Sequence, residues 1–263
     1  MCTGWRREVF MDSMEQRRED IVRFVNENGT ISFQMLKKQF PNVSEMTLRT
    51  DLKLLDEEHK IVRIHGGAKS VHVVIGTDDL FGNRAVRSQR EKEIIAEKAA
   101  GLIRENMTLY LDSGSTATVL ARMIPDLPLI IFTSGISCAT EMARLTKASV
   151  SVPGGKLNRY SMSVCGIEGI RKLEKTGFDL VLMGVTSFSE DIGFSCGVEE
   201  ESYLKQAALR NAAVKAVLMD SSKIGTRRSF SICGLEDIDI LVSDGNLPED
   251  FCALCLEKGV TVL

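Results

Sequence analysis

From residue 108 onward, six short runs of β-branched and aliphatic residues, at 108–111, 129–132, 149–152, 180–183, 216–219 and 238–242, alternate with stretches of helical periodicity. Strands separated by helices are spaced too far apart to pair as hairpins. The sheet they build is mainly parallel, with helices covering it. The spacing therefore predicts an α/β domain over 88–263. Order resumes there at Ser88, which with Glu91 forms the Ser-x-x-Glu pattern of a capping box.

Open α/β sheets bind ligands at the carboxyl ends of their strands. The run at 108–111 is followed by Asp112, Ser113, Gly114, Ser115 and Thr116, then by a helical stretch carrying Val119, Leu120 and Met123. Gly114 permits a tight turn, and hydroxyls with free helix-start amides can surround a phosphate. An ordinary turn with a Ser/Thr cap accounts for the same residues equally well. Thr133, Ser134 and Gly135 follow a second run, and Asp220-Ser221-Ser222-Lys223 follow another, with Lys223 supplying a cation. Neither G-x-x-x-x-G-K-[ST] nor G-x-G-x-x-G occurs, which disfavours a nucleoside triphosphate or a dinucleotide, and no cofactor is implied.

At 263 residues, 44% hydrophobic and 26% charged, the chain is long enough for a small domain beside a medium one. Its longest apolar runs are far too short to cross a bilayer, and residues 1–10 contain no apolar stretch of signal-peptide type. A cytoplasmic protein without a membrane partner is expected. The net charge of −3 decides nothing about nucleic acid, because a whole-chain sum hides local patches. Seven irregularly spaced cysteines suggest reduced thiols. Cys252 and Cys255, on a helix expected over 250–258, supply half of a tetrahedral site with no second pair, and His59, His65 and His72 have no converging spacing. No metal is implied.

Three helical patterns lie between residues 15 and 58. Ile21, Phe24 and Val25 share a face before Asn28-Gly29 gives a stop. Ser32 can cap a short second helix with Phe33, Leu36 and Phe40 on one side, ended by Pro41. Ser44 can cap the third, with Val43 and Leu48 placed as a hydrophobic staple. Leu48, Leu52 and Leu55 form its apolar stripe and leave Met46, Arg49, Thr50 and Lys53 on the opposite face. Such a helix suits a major groove, although a plain three-helix bundle with a solvated charged face has the same pattern. The next segment shifts the balance. Residues 61–64 are β-branched and Gly66-Gly67 signals a hairpin, with 71–75 as the returning strand. Arg63, His65 and Lys69 would then cluster on a wing against the DNA backbone.

The N-terminal segment resembles the DeoR family of bacterial regulators. The likeness rests on Glu15-Gln16-Arg17, on Val43-Ser44-Glu45-Met46-Thr47-Leu48-Arg49 with Asp51-Leu52, on Arg63-Ile64-His65-Gly66-Gly67-Ala68, and on the spacing between these pieces. Thr50 stands where that family commonly has a second Arg, and His59 where it has Gly. The pattern starts near Glu15, which makes Met14 the natural initiator and 1–13 an extension. The expected organisation is an extension (1–13), a winged helix-turn-helix (14–75), a linker (76–87) and an effector domain (88–263).

The second half resembles the same family's sensor domain, whose fold is similar to ribose-5-phosphate isomerase and glucosamine-6-phosphate deaminase. The matching pieces include Glu91-Lys92, residues 112–116, Pro153-Gly154-Gly155-Lys156-Leu157, Glu201 with Lys205, and residues 220–223. The resemblance implies double-stranded operator DNA as partner, read through Ser44, Met46, Thr47, Arg49, Thr50, Lys53, Arg63 and His65. It also implies a sugar phosphate held by Asp112, Ser113, Gly114, Ser115, Thr116, Thr133, Ser134, Gly155 and Lys223, with Glu201 and Lys205 facing its hydroxyls. Ser134 replaces the family's usual Asn, and Val185-Thr186-Ser187 its usual Ala-Asp-Gly. Repression relieved by the sugar phosphate is the implied mode, and a single winged helix reads so few base pairs that at least a dimer is expected. The alternative is an isomerase-like enzyme with an accessory DNA-binding domain. It needs a carboxylate base, and residues 184–187 contain none.

Overall fold

The computed structural model describes residues 5–71 and 81–263, and the side chains of all of these except 5–13 and Asn83. The chain divides into two compact units, Met1–Thr77 and Asp78–Leu263.

In the first unit, helices α1 (Trp5–Asn28), α2 (Phe33–Gln39) and α3 (Glu45–Glu57) accompany strands β1 (Thr30–Ser32), β2 (Ile61–Ile64) and β3 (Gly67–Ser70). The residue expected as initiator, Met14, lies inside α1, whose helical backbone already covers 5–13. Two caps form as expected: Ser32 accepts from the Met35 amide and Ser44 from the Thr47 amide. Ile21, Val25, Leu36, Leu48, Leu52 and Leu55 bury one shared core with Ile31, Ile61 and Ala68. The order β1-β3-β2, antiparallel throughout, is that of a winged helix.

The wing departs from the sequence reading. Ile64 pairs with Gly67, so His65 and Gly66 alone make the turn and the returning strand is Gly67–Ser70. Val71 is helical, and 72–75, the rest of the strand expected there, lie outside the described residues. Gly66 turns at φ +76, while a Cβ on Gly67 would stand 2.0 Å from the Ile31 carbonyl oxygen. The first glycine makes the turn. The second lets β1 close on β3.

The second unit opens with α4 (Phe81–Val86) and α5 (Gln89–Ala100). The expected linker 76–87 thus contains a helix, anchored by the Phe81 amide on the Tyr160 carbonyl at 2.9 Å; residues 76–80 lie outside the described residues. The capping box at Ser88 does not form. Ser88 is left-handed (φ 50) and its side chain caps nothing, because the buried Lys92 pulls the Arg84 and Arg87 carbonyls inward and turns the chain there.

The remaining elements are β4 (Thr108–Leu111), α6 (Ser115–Met123), β5 (Ile130–Thr133), α7 (Ile136–Met142), β6 (Ser149–Ser151), β7 (Lys156–Asn158), β8 (Ser163–Cys165), α8 (Ile167–Glu174), β9 (Phe178–Gly184), β10 (Ser187–Ser189), β11 (Gly193–Cys196), α9 (Glu199–Arg210), β12 (Ala212–Leu218), β13 (Phe230–Cys233), β14 (Ile240–Val242), α10 (Glu249–Glu257) and β15 (Thr261–Val262). Seven of the strands form one sheet, ordered β15-β14-β12-β9-β4-β5-β6, with every neighbouring pair parallel. The period of two along the strands sorts the core onto two faces. Leu109, Leu111, Leu180, Leu182, Ala216 and Leu218 pack with residues of α5, α6 and α7, and Tyr110, Val181, Met183 and Val217 with those of α8, α9 and α10.

Sequence order reverses at β4. Strands β5 and β6 continue to one side, and β9, β12, β14 and β15 lie to the other. A crevice opens at such a switch point beyond the carboxyl ends of the central strands.

Candidate functional site

On the first unit, α3 turns its leucines inward and leaves Met46, Arg49, Thr50 and Lys53 exposed, with Met46 77% exposed. The Arg49 guanidinium lies 4.1 Å from the centre of the Phe33 ring and 3.9 Å from a Glu45 carboxylate oxygen. Stacking on Phe33 limits its freedom while the group stays half exposed, which suits a donor fork that must meet a planar acceptor. Lys53 lies 3.7 Å from Glu57. The hydroxyls of Ser44, Thr47 and Thr50 are engaged locally: the first two contact each other at 2.8 Å at the helix start, and Thr50 donates to the Met46 carbonyl. Arg63 and His65 are exposed on the wing, and the Arg63 amide is fixed by the Asp56 carboxylate at 2.9 Å.

A brace that the sequence reading missed orients α3. Asp51, buried on its inner side, accepts from Arg17 at 2.7 Å and from Arg18 at 3.0 Å, so α1 grips the back of the exposed helix. Helical periodicity gives only a weak hint of it, since Asp51 sits beside Leu52 on the apolar stripe.

On the second unit, the crevice at the switch point collects most of the residues picked out from the sequence. Asp112, Ser113, Ser115 and Thr116 are buried where β4 passes into α6. Gly114 caps that helix at φ +105 without any side-chain cap, so the ordinary Ser/Thr cap does not explain this loop. The helix therefore starts on backbone amides that no N-cap side chain satisfies. Thr133 and Ser134 are buried at the end of β5, with the Ser134 hydroxyl 3.1 Å from that of Tyr110. Gly155, just before β7, is exposed, unlike the buried residues above, and a Cβ on it would come within 2.4 Å of the Cys165 carbonyl oxygen. Close backbone approach accounts for that glycine.

Glu201 and Lys205, one turn apart on α9, are buried and already partnered. Glu201 accepts from the Ser163 hydroxyl at 2.7 Å, and Ser163 also meets Ser161 at 2.9 Å. Lys205 forms an ion pair with Asp112 and donates to the Gly184 carbonyl at 2.9 Å, while the Gly184 amide donates to Asp112 at 3.0 Å. Burial alone would lower the Lys205 pKa, but Asp112, Cys196 and Glu201 together outweigh it and hold the ammonium above its ordinary value. The pair clamps the ends of β4 and β9 together.

Lys223 donates to the Val185 carbonyl at 2.8 Å and lies 3.5 Å from Asp220. Burial pushes its pKa down, Asp220 partly offsets that, and the positive charge of Arg84 adds to the depression. Lys92 behaves alike: burial lowers it first, then Lys223. Arg84 lowers both lysines and Lys223 also lowers Lys92, so these cations repel one another, and a bound anion would relieve that repulsion. Lys92 and Arg84 belong to this group and were not among the site residues read from the sequence. Both precede the loops that drew attention there.

Thiols line the same region. Burial pushes Cys138 and Cys165 up to about 12, which removes them as nucleophiles at neutral pH. Among the described residues no group of three or more His, Cys, Asp or Glu could hold a metal ion, and no helix is long and apolar enough to cross a membrane.

Comparison with known proteins gives two family matches. Residues 17–74 match the DeoR-like helix-turn-helix domain and residues 87–245 the DeoR C terminal sensor domain. An HTH-type transcriptional regulator of Bacillus subtilis, YulB, is 31% identical over 247 residues, 94% of this chain and 95% of its own length. The HTH-type transcriptional repressor GlcR of the same organism is 28% identical over 95% of each chain. Among solved structures, ribose 5-phosphate isomerase A from Methanocaldococcus jannaschii aligns with a TM-score of 0.36 and 17% identity, covering 51% of this chain and 53% of that one.

Proposed function

From the premise that this chain belongs to the DeoR family of transcriptional regulators, with its helix-turn-helix and sensor domains, we propose that it represses a carbohydrate-metabolism operon and is released by a phosphorylated sugar. The observation that carries the effector half is the electropositive crevice, where Lys223 and Lys92 are held near an uncapped glycine loop at the switch point. A phosphate dianion is the ligand chemistry that such a site favours. The repressor reading takes its support from relatives named as repressors, GlcR among them.

In this reading Arg49 pairs with a base edge, while Lys53, Arg63 and His65 hold backbone phosphates. Two copies meet half-sites about 34–36 Å apart or a multiple of that. Effector and operator compete through the arrangement of the paired readers. Coupling is reciprocal, so a tenfold loss of operator affinity on effector binding, about 1.4 kcal/mol, implies the same loss of effector affinity on operator binding.

The test is operator titration at fixed salt, with and without each member of a sugar-phosphate panel. Arg49→Ala is expected to cost about 1–3 kcal/mol on the operator and to relax preference at one position. Lys223→Ala is expected to keep the protein on DNA at effector concentrations that release the parent. An operator affinity unmoved by Arg49→Ala refutes the reader, and a parent-like effector response in Lys223→Ala refutes the pocket. The isomerase alternative predicts turnover of ribose 5-phosphate. Against it stands the fact that Asp112 and Glu201 are already committed to Lys205 and Ser163.

A further inference from the structure

We propose that Arg84, on the short helix α4 at the start of the second unit, is an anion-binding residue that closes over the phosphate at Gly114, so that occupancy of the crevice tightens α4. This rests on the phosphate reading of the crevice given above and adds a residue and a moving part to it.

Four observations converge on Arg84. Its Nε is buried and has no hydrogen-bond partner among the described residues. A buried guanidinium donor left unpaired costs free energy, and an oxyanion is its natural complement. Its Nη1 lies 3.9 Å from the point where a Cβ on Gly114 would stand. The guanidinium therefore faces the bare backbone of the loop whose amides are uncapped. Third, the charges around it are mostly of its own sign. Lys92 and Lys223 both feel Arg84, and Lys92 also feels Arg87. Of the nearby carboxylates, Asp220 faces Lys223, Asp112 is taken by Lys205, and Glu201 by Ser163. Like charges gathered without matching anions repel one another, and a phosphate dianion would turn that repulsion into attraction.

The fourth observation concerns how α4 is held. Phe81 donates its amide to the Tyr160 carbonyl, and the carbonyls of Arg84 and Arg87 accept from Lys92. These contacts fix the backbone at its ends and leave the guanidinium to the crevice. A planar fork with parallel donors can engage two phosphate oxygens at once in a fixed geometry that a lysine ammonium lacks. In sequence, only residues 71–80 separate α4 from the end of β3 in the wing. A ligand gripped by Arg84 therefore acts on the part of the pocket nearest in the chain to the DNA-reading unit.

Hydrogen exchange on the full-length protein tests this, with inorganic phosphate as the probe and potassium chloride at equal ionic strength as the control. Phosphate is expected to slow exchange in peptides covering 81–88 and 112–120, and chloride is not. In Arg84→Met, which keeps the side-chain stem, the phosphate Kd is expected to rise at least tenfold, about 1.4 kcal/mol, and the protection of 81–88 to vanish. Arg84→Lys, which restores charge without the fork, is expected to recover only part of the affinity. It also serves as the second variant should the methionine form fail to fold. Protection at 112–120 without protection at 81–88, or parent-like affinity in both variants, overturns the role of Arg84 and leaves the phosphate loop standing. Protection in neither segment, or equal protection by chloride, overturns the anion crevice and this inference together.

Discussion

Replacing Lys205 by methionine removes the cation from a buried pair while keeping most of the volume of its stem. Asp112 is then left 1% exposed, with the Gly184 amide at 3.0 Å as its main remaining charge-stabilising partner. Breaking one side of a buried ion pair costs about 3–5 kcal/mol, and the surviving amide places the expected loss near the lower end, about 3 kcal/mol. That is a substantial part of the roughly 5–15 kcal/mol by which domains are stable, so the variant still folds at room temperature. The loss carries a pH signature. Burial holds the folded-state pKa of Asp112 above its ordinary value even beside Lys205, and losing that cation raises it further. A carboxyl that binds its proton more tightly when folded stabilises the fold once protonated. The penalty is therefore full above the folded pKa and is relieved as pH falls through it. Urea denaturation of parent and variant from about pH 8 to about pH 5 should show the difference shrinking on acidification. Asp112→Leu in the same background should recover most of the loss, because an apolar pair leaves no unpaired charge. A loss under about 1 kcal/mol, or one equal at both ends of the pH range, refutes the argument that this pair clamps β4 to β9.

His59 is left-handed (φ 57) after α3, so His59→Gly is expected to raise stability by about 0.5–1 kcal/mol in thermal or urea unfolding; a loss would show that the imidazole's own contacts outweigh the strain. Asp51→Ala unpairs Arg17 and Arg18, which are only about one-fifth exposed. We expect it to cost about 2–3 kcal/mol and to weaken DNA binding by loosening α3, while Arg17→Ala or Arg18→Ala alone costs about 1 kcal/mol or less. Equal losses for all three would mean that Asp51 does not unite them. Cys138, Cys165 and Cys233, whose pKa values burial raises to about 12, should escape iodoacetamide in the native protein and react once unfolded in urea, as read by mass. Rapid native labelling of Cys138 would contradict its burial. Asp244 accepts from Ser221, Ser243 and Asn246. Although burial works against it, these bonds hold its carboxyl below the usual range, so its contribution is present above the unfolded pKa and is lost as pH falls through the folded one. Asp244→Asn should flatten the acid limb of the stability curve, and an unchanged limb would refute that.

What could be read from the sequence alone was whatever local physics encodes. The caps Ser32 and Ser44, the stripe of Leu48, Leu52 and Leu55, and the stop at Asn28-Gly29 all depend on residues within a turn or two of one another. The alternation of strands and helices likewise dictated a parallel sheet, and the loops after β4, β5 and β12 were visible because polar residues end apolar runs. The returning wing strand was misplaced because 71–75 has the better β propensity, whereas Gly67–Ser70 pairs for a different reason: two glycines let it fit against Ile31 and Ile64.

Only the tertiary structure decided which polar groups are spent and which remain free for a ligand. Asp112 and Lys205 are 93 positions apart, and Glu201 and Ser163 are 38 apart. No periodicity links them; they meet because the sheet order turns at β4 and brings α9 over the ends of β4 and β9. The same turn gathers Lys92, Lys223 and Arg84 around Gly114, although a sequence reading takes Arg84 for part of a linker. Hydrophobic pattern is a property of neighbours along the chain. The charge balance of a crevice is a property of neighbours in space, and burial gives each of those charges its weight.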